Sequence, residues 1–457
     1  MTFHARIQYL IPFFILTASL FLQSNNSKAQ TWSPVDSGCY LGSFWAGYAD
    51  SINDLLYVGG SFDSCGTNFL PSAGFADWNG TSWTDLTGGT HVFGGDWTYC
   101  ITKYNGDIYH GELFGSVFNG APQSAATRVV KMNSDVYCMA VFNHDLYIGG
   151  SFTNILIGGN VKTKYLGIAY WDGSKWNQLD EGLRAVSGNA IVKALYVWNN
   201  KLYVGGRFDS AGKIACHNLA AWDGSSWQSI DNGVTYSNNK SAMITALGGY
   251  NGSLVVGGKF DKAGSVSANN FVSYSGTSWN NMGLTLNNEA DAFQTYNGDL
   301  YVGGQFKYGS NFSEVVRYNN NQWITMGKDQ WHGDRVSALV DWRGSLYVLG
   351  RFSKVNGISV DNIAAWTIAP PPQEEQVRMK SCWVNLSEQK VYVSLNAALS
   401  DGRYLILNSL GQEEFSGNVT AISDGNTITA DISKLTSGLY EIEVFDGKTT
   451  EVHSFVK

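Results

Sequence analysis

Short runs in which apolar residues alternate with small or polar ones recur along this chain, and one of them returns almost unchanged. Leu56-Tyr-Val-Gly-Gly-Ser-Phe62 reappears as Leu146 to Phe152, Leu202 to Phe208, Leu254 to Phe260, Leu300 to Phe306 and Leu346 to Phe352, with a weaker copy at Ile108 to Phe114. The copies start 52, 38, 56, 52, 46 and 46 residues apart, the size of a four-stranded unit. Most are preceded by a tight-turn signal such as Tyr104-Asn-Gly-Asp107, Tyr250-Asn-Gly-Ser253 or Tyr296-Asn-Gly-Asp299. Asn-Gly between apolar runs marks a hairpin, because a type I′ turn needs positive φ at both central residues. A second hairpin signal follows most copies, as in Ala76-Asp-Trp-Asn-Gly-Thr-Ser-Trp83 and Ala220-Ala-Trp-Asp-Gly-Ser-Ser-Trp227. Four strands per repeat, joined as a meander, are predicted.

Meanders repeated radially build a β-propeller, so the expected fold is all-β, a seven-bladed propeller over residues 30–368. Glycine in the repeat is expected to let neighbouring blades approach closely. The seventh copy stops at Thr367-Ile-Ala-Pro370 without an outer strand. The missing piece is Thr31-Trp-Ser-Pro-Val-Asp-Ser-Gly38, which reads like Lys175 to Gly182, so Trp32 is expected to close the last blade. After Phe114 only Arg128 to Asn133 resembles a strand, and blade two is expected to carry three strands. The repeats resemble the secreted kelch-like propellers of pattern NLAxWDGxxW…LYVGGxF, best matched by Asn218 to Trp227. That resemblance covers residues 31–368 and implies an extracellular setting without naming a reaction.

Composition adds limits. Glycine is abundant (52) and proline scarce (7), which suits short strands and turns. A net charge of −8 without a Lys/Arg run argues against a nucleic-acid partner. Arg6, the apolar stretch Ile7 to Leu22 and Ser27-Lys28-Ala29 read as a signal peptide over residues 1–29. That stretch is shorter than the ~20 residues of a membrane span and contains Pro12, so no transmembrane segment is expected.

Three consecutive prolines, Pro370 to Pro372, mark a linker over residues 369–379. Alternation then returns, predicting a small β-sandwich over 380–457. Gly402 to Gln412, then Ile432 to Tyr440, then a last strand ending in Lys457 resemble the type A sorting domain of type IX secretion in Bacteroidetes. Cys382 to Leu386 stands where that family usually begins with Pro-Asn-Pro. The resemblance implies type IX machinery as a partner and a secreted or outer-surface location.

Reactive constellations are sparse. The seven histidines are scattered, no pair has metal-ligand spacing, and neither a metal nor a cofactor is expected. His110 and Glu112 depart from the glycines of their repeat, which reads as relaxed packing. Cys100 and Cys138 share a repeat position held elsewhere by alanine, a small slot in which an inter-blade disulfide is left open. Asp172 and Asp223 read as turn formers. Binding is expected on the loops that lead into each inner strand, which carry His91, Phe93, Asp96, Arg184, Glu289, Asp291, Asp334 and Arg335. Trp97, Tyr236, Trp331 and His332 are the chosen candidates, since exposed rings beside polar groups suit sugar or protein. The expected function is a secreted, non-enzymatic protein for protein or glycan recognition. The alternative is an extracellular polysaccharide-acting enzyme with its site on the propeller's top face.

Overall fold

The computed structural model describes residues 30–40, 42–67, 70–71, 74–86, 97–119, 127–157, 160–238, 241–309, 313–326, 332–368, 379–395, 401–420, 427–445 and 450–457. The expected signal peptide, nearly all of the linker, and the loop residues His91, Phe93, Asp96 and Trp331 lie outside the described residues. Two compact units separate at the end of residue 368, one spanning Gln30–Ile368 and the other taking in Ala369–Lys457. Antiparallel strands make up both units, and among the described residues the sole helical segment is a 3-10 turn at Leu113–Gly115.

Seven sheets of the larger unit, among the described residues, each start from one long hairpin. Their first strands are Phe44–Asp50, Thr98–Tyr104, Val136–Phe142, Ile191–Trp198, Met243–Tyr250, Ala290–Tyr296 and His332–Trp342. Consecutive first strands lie against one another, and the seventh lies against the first. The hairpin turns behave as their sequences require, with positive φ at Asn105 and Gly106 (51° and 92°) and at Asn251 and Gly252 (45° and 73°). In the second hairpins Asp172 and Asp223 each accept two backbone N–H bonds two and three residues on, closing the turn.

A repeated asparagine locks each outer hairpin to the loop that follows. Asn218, Asn270 and Asn362 all sit at φ 65–69°. Their Oδ1 atoms accept from the backbone N–H of Phe208, Phe260 and Phe352 at 3.1–3.2 Å. Their Nδ2 groups donate to the Val234 and Leu286 carbonyls and, in the seventh sheet, to the Cys39 carbonyl 323 residues away. The N-terminal segment therefore does for the last sheet what each following loop does for its own.

Gln30–Pro34 supplies that sheet's fourth strand, pairing antiparallel with Ile363–Ile368 so that Trp32 faces Trp366. Their ring centroids are 4.9 Å apart, matching Trp78 with Trp83 at 5.0 Å and Trp222 with Trp227 at 5.1 Å. A Cys39–Cys65 disulfide ties the same segment to the connection between the second and third strands of the first sheet, closing a 26-residue separation worth about 3.5 kcal/mol on a chain-entropy reckoning.

The second sheet corrects the sequence reading twice. It holds four strands of its own, Thr98–Tyr104, Asp107–Glu112, Ser116–Asn119 and Thr127–Met132, where three were expected. A further hairpin, Asn154–Ile157 with Asn160–Lys164, adds to its outer edge through Met132 and Ile155. It lies between the second and third strands of the following sheet, so no reading confined to one repeat pairs it correctly. Registers also put His110 at the repeat's valine position; Glu112 alone replaces a glycine. His110 is buried between Phe75 and Phe118, at 4.4 and 5.2 Å. Burial holds its imidazole down at about 4. Cys100 and Cys138 are buried free thiols opposite Gly111 and Gly149, with no bond between them.

The smaller unit packs a sheet of Met379–Asn385, Lys390–Leu395 and Thr427–Asp431 with one of Glu413–Thr420, Asp401–Asn408, Leu439–Phe445 and Thr450–Val456. Val391, Val393, Ile406, Ile428, Ile442 and Phe455 form its core. Lys457 clamps the preceding turn, its ammonium donating to the Ile432, Ser433 and Leu435 carbonyls at 2.5, 3.2 and 2.6 Å.

Two outcomes are expected. Trp32→Ala should cost about 3–5 kcal/mol and lower the melting temperature by several degrees; an unchanged melt contradicts the closure. Because the folded His110 titrates below its unfolded value, the wild type should lose stability relative to His110→Phe as pH falls from about 6.5 toward 4. The gap should reach roughly 3 kcal/mol, and parallel melting profiles across that range would contradict the burial account.

Candidate functional site

All seven first strands carry a β-bulge at the same place. The register slips between Phe44 and Ala46, Val136 and Cys138, Val192 and Ala194, Ile244 and Ala246, Ala290 and Ala292, and Val336 and Ala338. In the second sheet the slip lies opposite Thr98 and Cys100. One residue is left unpaired in each case: Trp45, Tyr99, Tyr137, Lys193, Thr245, Asp291 and Ser337. A bulge re-aims the extra side chain. Accordingly all seven are partly exposed, while the residue just before each is buried without measurable exposure.

In five of the seven sheets two adjacent glycines stand opposite the bulge, and in the second sheet Glu112 takes the place of the second one. A Cβ on Gly206 would lie 1.9 Å from the Ile191 carbonyl oxygen, immediately beside the bulge. A Cβ on Gly205 would lie 2.5 Å from Ile244 of the next sheet. The first glycine admits the neighbour and the second admits the bulge. The seventh sheet has Leu349 at the first position, and the first sheet compensates with Gly47, where a Cβ would press on Val340 and Leu349.

Since the first strands close a circuit, their bulge residues are arranged in a circle, and along one arc of it they are in contact. Trp45 packs on Trp97 and Tyr99 at 5.7 and 4.8 Å, and Tyr99 on Tyr137 at 5.2 Å. Lys193 Nζ stands 3.2 Å from the Tyr137 ring centroid. Opposite in character is the remaining arc, where Arg335 holds Asp291 at 3.0 Å and Glu289 at 3.8 Å. Lys259 reaches Glu289 at 3.3 Å. Burial raises the Asp291 carboxyl to about 6 against the pull of Arg335, with Glu289 adding to the rise. Asp291 Oδ1 has no hydrogen-bond partner. A cavity of about 210 Å³ opens at this end, lined by Ser43, Trp45, Gln305, Asp334, Arg335, Ser337 and Arg351.

The sequence candidates divide. Trp97 belongs to the circle and is 37 % exposed. Glu289 joins it from a loop, whereas Asp291 and Arg335, read from the sequence as loop residues, lie within the first strands Ala290–Tyr296 and His332–Trp342. Tyr236 lines a different cavity of about 510 Å³ with Arg207, Asp209 and His217, where burial, Asp261 and Glu289 raise its hydroxyl. His332 opens the seventh first strand. Arg184 is exposed and paired with Glu181. Trp45, Tyr99, Tyr137, Lys193, Thr245 and Ser337 were missed. Their signal is positional: each directly precedes the shared Ala or Cys slot, and no two neighbouring repeats after the tyrosines carry the same residue there.

Residues 385–457 match the family described as secretion system C-terminal sorting domain. No curated protein matches the sequence. Among solved structures the chain is similar to the extracellular domain of a B. thetaiotaomicron protein assigned as a hybrid two component system. Identity there is 12 % and TM-score 0.49, covering 93 % of this chain and 57 % of that one. The computationally designed Ika8 protein gives 14 %, 0.42, 74 % and 100 %, and a chain of the Mitotic Checkpoint Complex gives 13 %, 0.44, 80 % and 100 %. This chain therefore spans little more than half of the B. thetaiotaomicron domain. The sorting domain engages type IX machinery, and the protein is exported to the cell surface or secreted. Deleting residues 385–457 should leave it inside a type IX-competent cell, as fractionation of cells and medium would register. Undiminished export would contradict that role.

Proposed function

We propose that the seven sheets are blades of a kelch-like β-propeller and that this is a secreted or surface-held, non-enzymatic binding protein for glycans. Residues 1–29 act as its signal peptide, 30–368 as the propeller, 369–379 as a linker and 380–457 as the sorting domain. The observation that supports the reading best is the divided circle of bulge residues. Trp97, Trp45, Tyr99 and Tyr137 form an aromatic arc, while Lys193, Thr245, Asp291 and Ser337 continue it with hydrogen-bonding groups. Aromatic faces stack on the apolar face of a sugar, and neighbouring polar groups fix its orientation. Tyr236 and the second cavity are kept as a subsidiary contact, together with Trp331 and His332.

A second reading, a polysaccharide-acting enzyme, draws on Lys193 and Asp291. Their pKa values move toward neutrality, to about 8 and about 6, as general acid–base work requires. Release of shorter products from a bound polysaccharide, lost in Asp291→Asn, would favour it.

The test is a glycan array with the exported protein. Binding should occur, and Trp45→Ala and Trp97→Ala should each weaken it about tenfold or more, with Tyr236→Ala changing it less. No glycan binding, or binding untouched by both tryptophan changes, would overturn the proposal.

A further inference from the structure

Lys193 is the charge in the circle that no anion answers. Its ammonium lies against the Tyr137 ring, and among the described residues it makes no hydrogen bond or ion pair. The charges facing it are otherwise engaged. Asp291 and Glu289 are held by Arg335, and Asp135 accepts the Tyr137 hydroxyl at 2.8 Å. Cys138, the remaining titratable neighbour, is a buried thiol pushed well above its ordinary value.

Burial lowers the Lys193 ammonium to about 8, Arg335 pushes it the same way, and Cys138, Asp135 and Asp291 oppose them. A cation on an aromatic face recovers only part of what withdrawing that ion from water costs. The shortfall is what an arriving anion would supply. Beside Lys193 runs the aromatic arc, whose Tyr137 ring carries the ammonium and whose Tyr99, Trp45 and Trp97 rings continue away from it.

We propose that the circle takes an acidic saccharide, its carboxylate or sulfate pairing with Lys193 while a neighbouring sugar stacks on the Tyr99, Trp45 and Trp97 arc. This rests on the circle being the binding site. Calorimetric titration of the exported protein with oligogalacturonate, a sulfated galactan oligosaccharide and neutral galactan of equal length tests it. One acidic oligomer should bind at least tenfold more tightly than the neutral one, and the better of the two identifies the anion. Lys193→Met should abolish that preference with the melting temperature held or raised, and Lys193→Arg should retain it. Wild-type affinity for the acidic oligomer should fall as pH rises through 8 to 9, a dependence absent in Lys193→Arg. Tyr137 and Cys138 titrate above that window and Asp291 below it. Equal binding of acidic and neutral oligomers, or an undiminished preference in Lys193→Met, would overturn the acidic class. If neutral galactan alone binds and Trp45→Ala abolishes it, the circle survives as a site and the acidic class fails. Absence of binding by all three overturns both.

Discussion

The structure depends on how closely backbone can approach backbone at two consecutive glycines. At the second glycine, the first strand's carbonyl occupies the space a side chain would need, as the 1.9 Å approach at Gly206 and the 2.0 Å approach at Gly150 make plain. That contact accompanies the bulge in six of the seven sheets, and in the second the same bulge forms opposite Glu112. At the first glycine, the buried residue of the next sheet fills the space instead, Val192 over Gly149 and Val336 over Gly303. One dipeptide thus sets both the spacing between sheets and the direction of the residue between them.

Packing and exposure are consequently divided between adjacent positions with opposite requirements. The buried position before each bulge accepts only apolar or small groups, here Phe44, Thr98, Val136, Val192, Ile244, Ala290 and Val336. The bulged position packs against no fixed partner of its own sheet, and its residues range from tryptophan to aspartate. A variable circle on a constant frame is the arrangement that suits a binding surface. The frame itself is shut by side chains remote in sequence, with Trp32 on Trp366 and Asn362 on the Cys39 carbonyl.

Much of the frame was legible because it uses local chemistry. Asn-Gly turns, paired tryptophans and the broken seventh repeat all point to the strand order, and Trp32 could be assigned from its likeness to Trp176 and Trp227. The circle was harder to read, since its members share a position and no residue type. Trp97 was found as an exposed loop aromatic; Trp45 was passed over inside an ordinary strand pattern. Lys193 drew no reading at all, because alternation alone cannot signal a bulge. The second sheet's extra hairpin was hidden for a different reason, being an edge addition from the next repeat. His110 drew notice as a polar intruder, yet two phenylalanines explain it as packing.

On the proposed reading a ligand is held at the bulge circle and not at the outer strands or the second cavity. Fluorine NMR of the exported protein carrying 5-fluorotryptophan, with resonances assigned by single substitutions and titrated with an acidic oligosaccharide, tests it directly. The account predicts that the Trp45 and Trp97 resonances move together and saturably while those of Trp222 and Trp227 stay fixed. Saturable movement at Trp222 and Trp227 with Trp45 and Trp97 unmoved would contradict it.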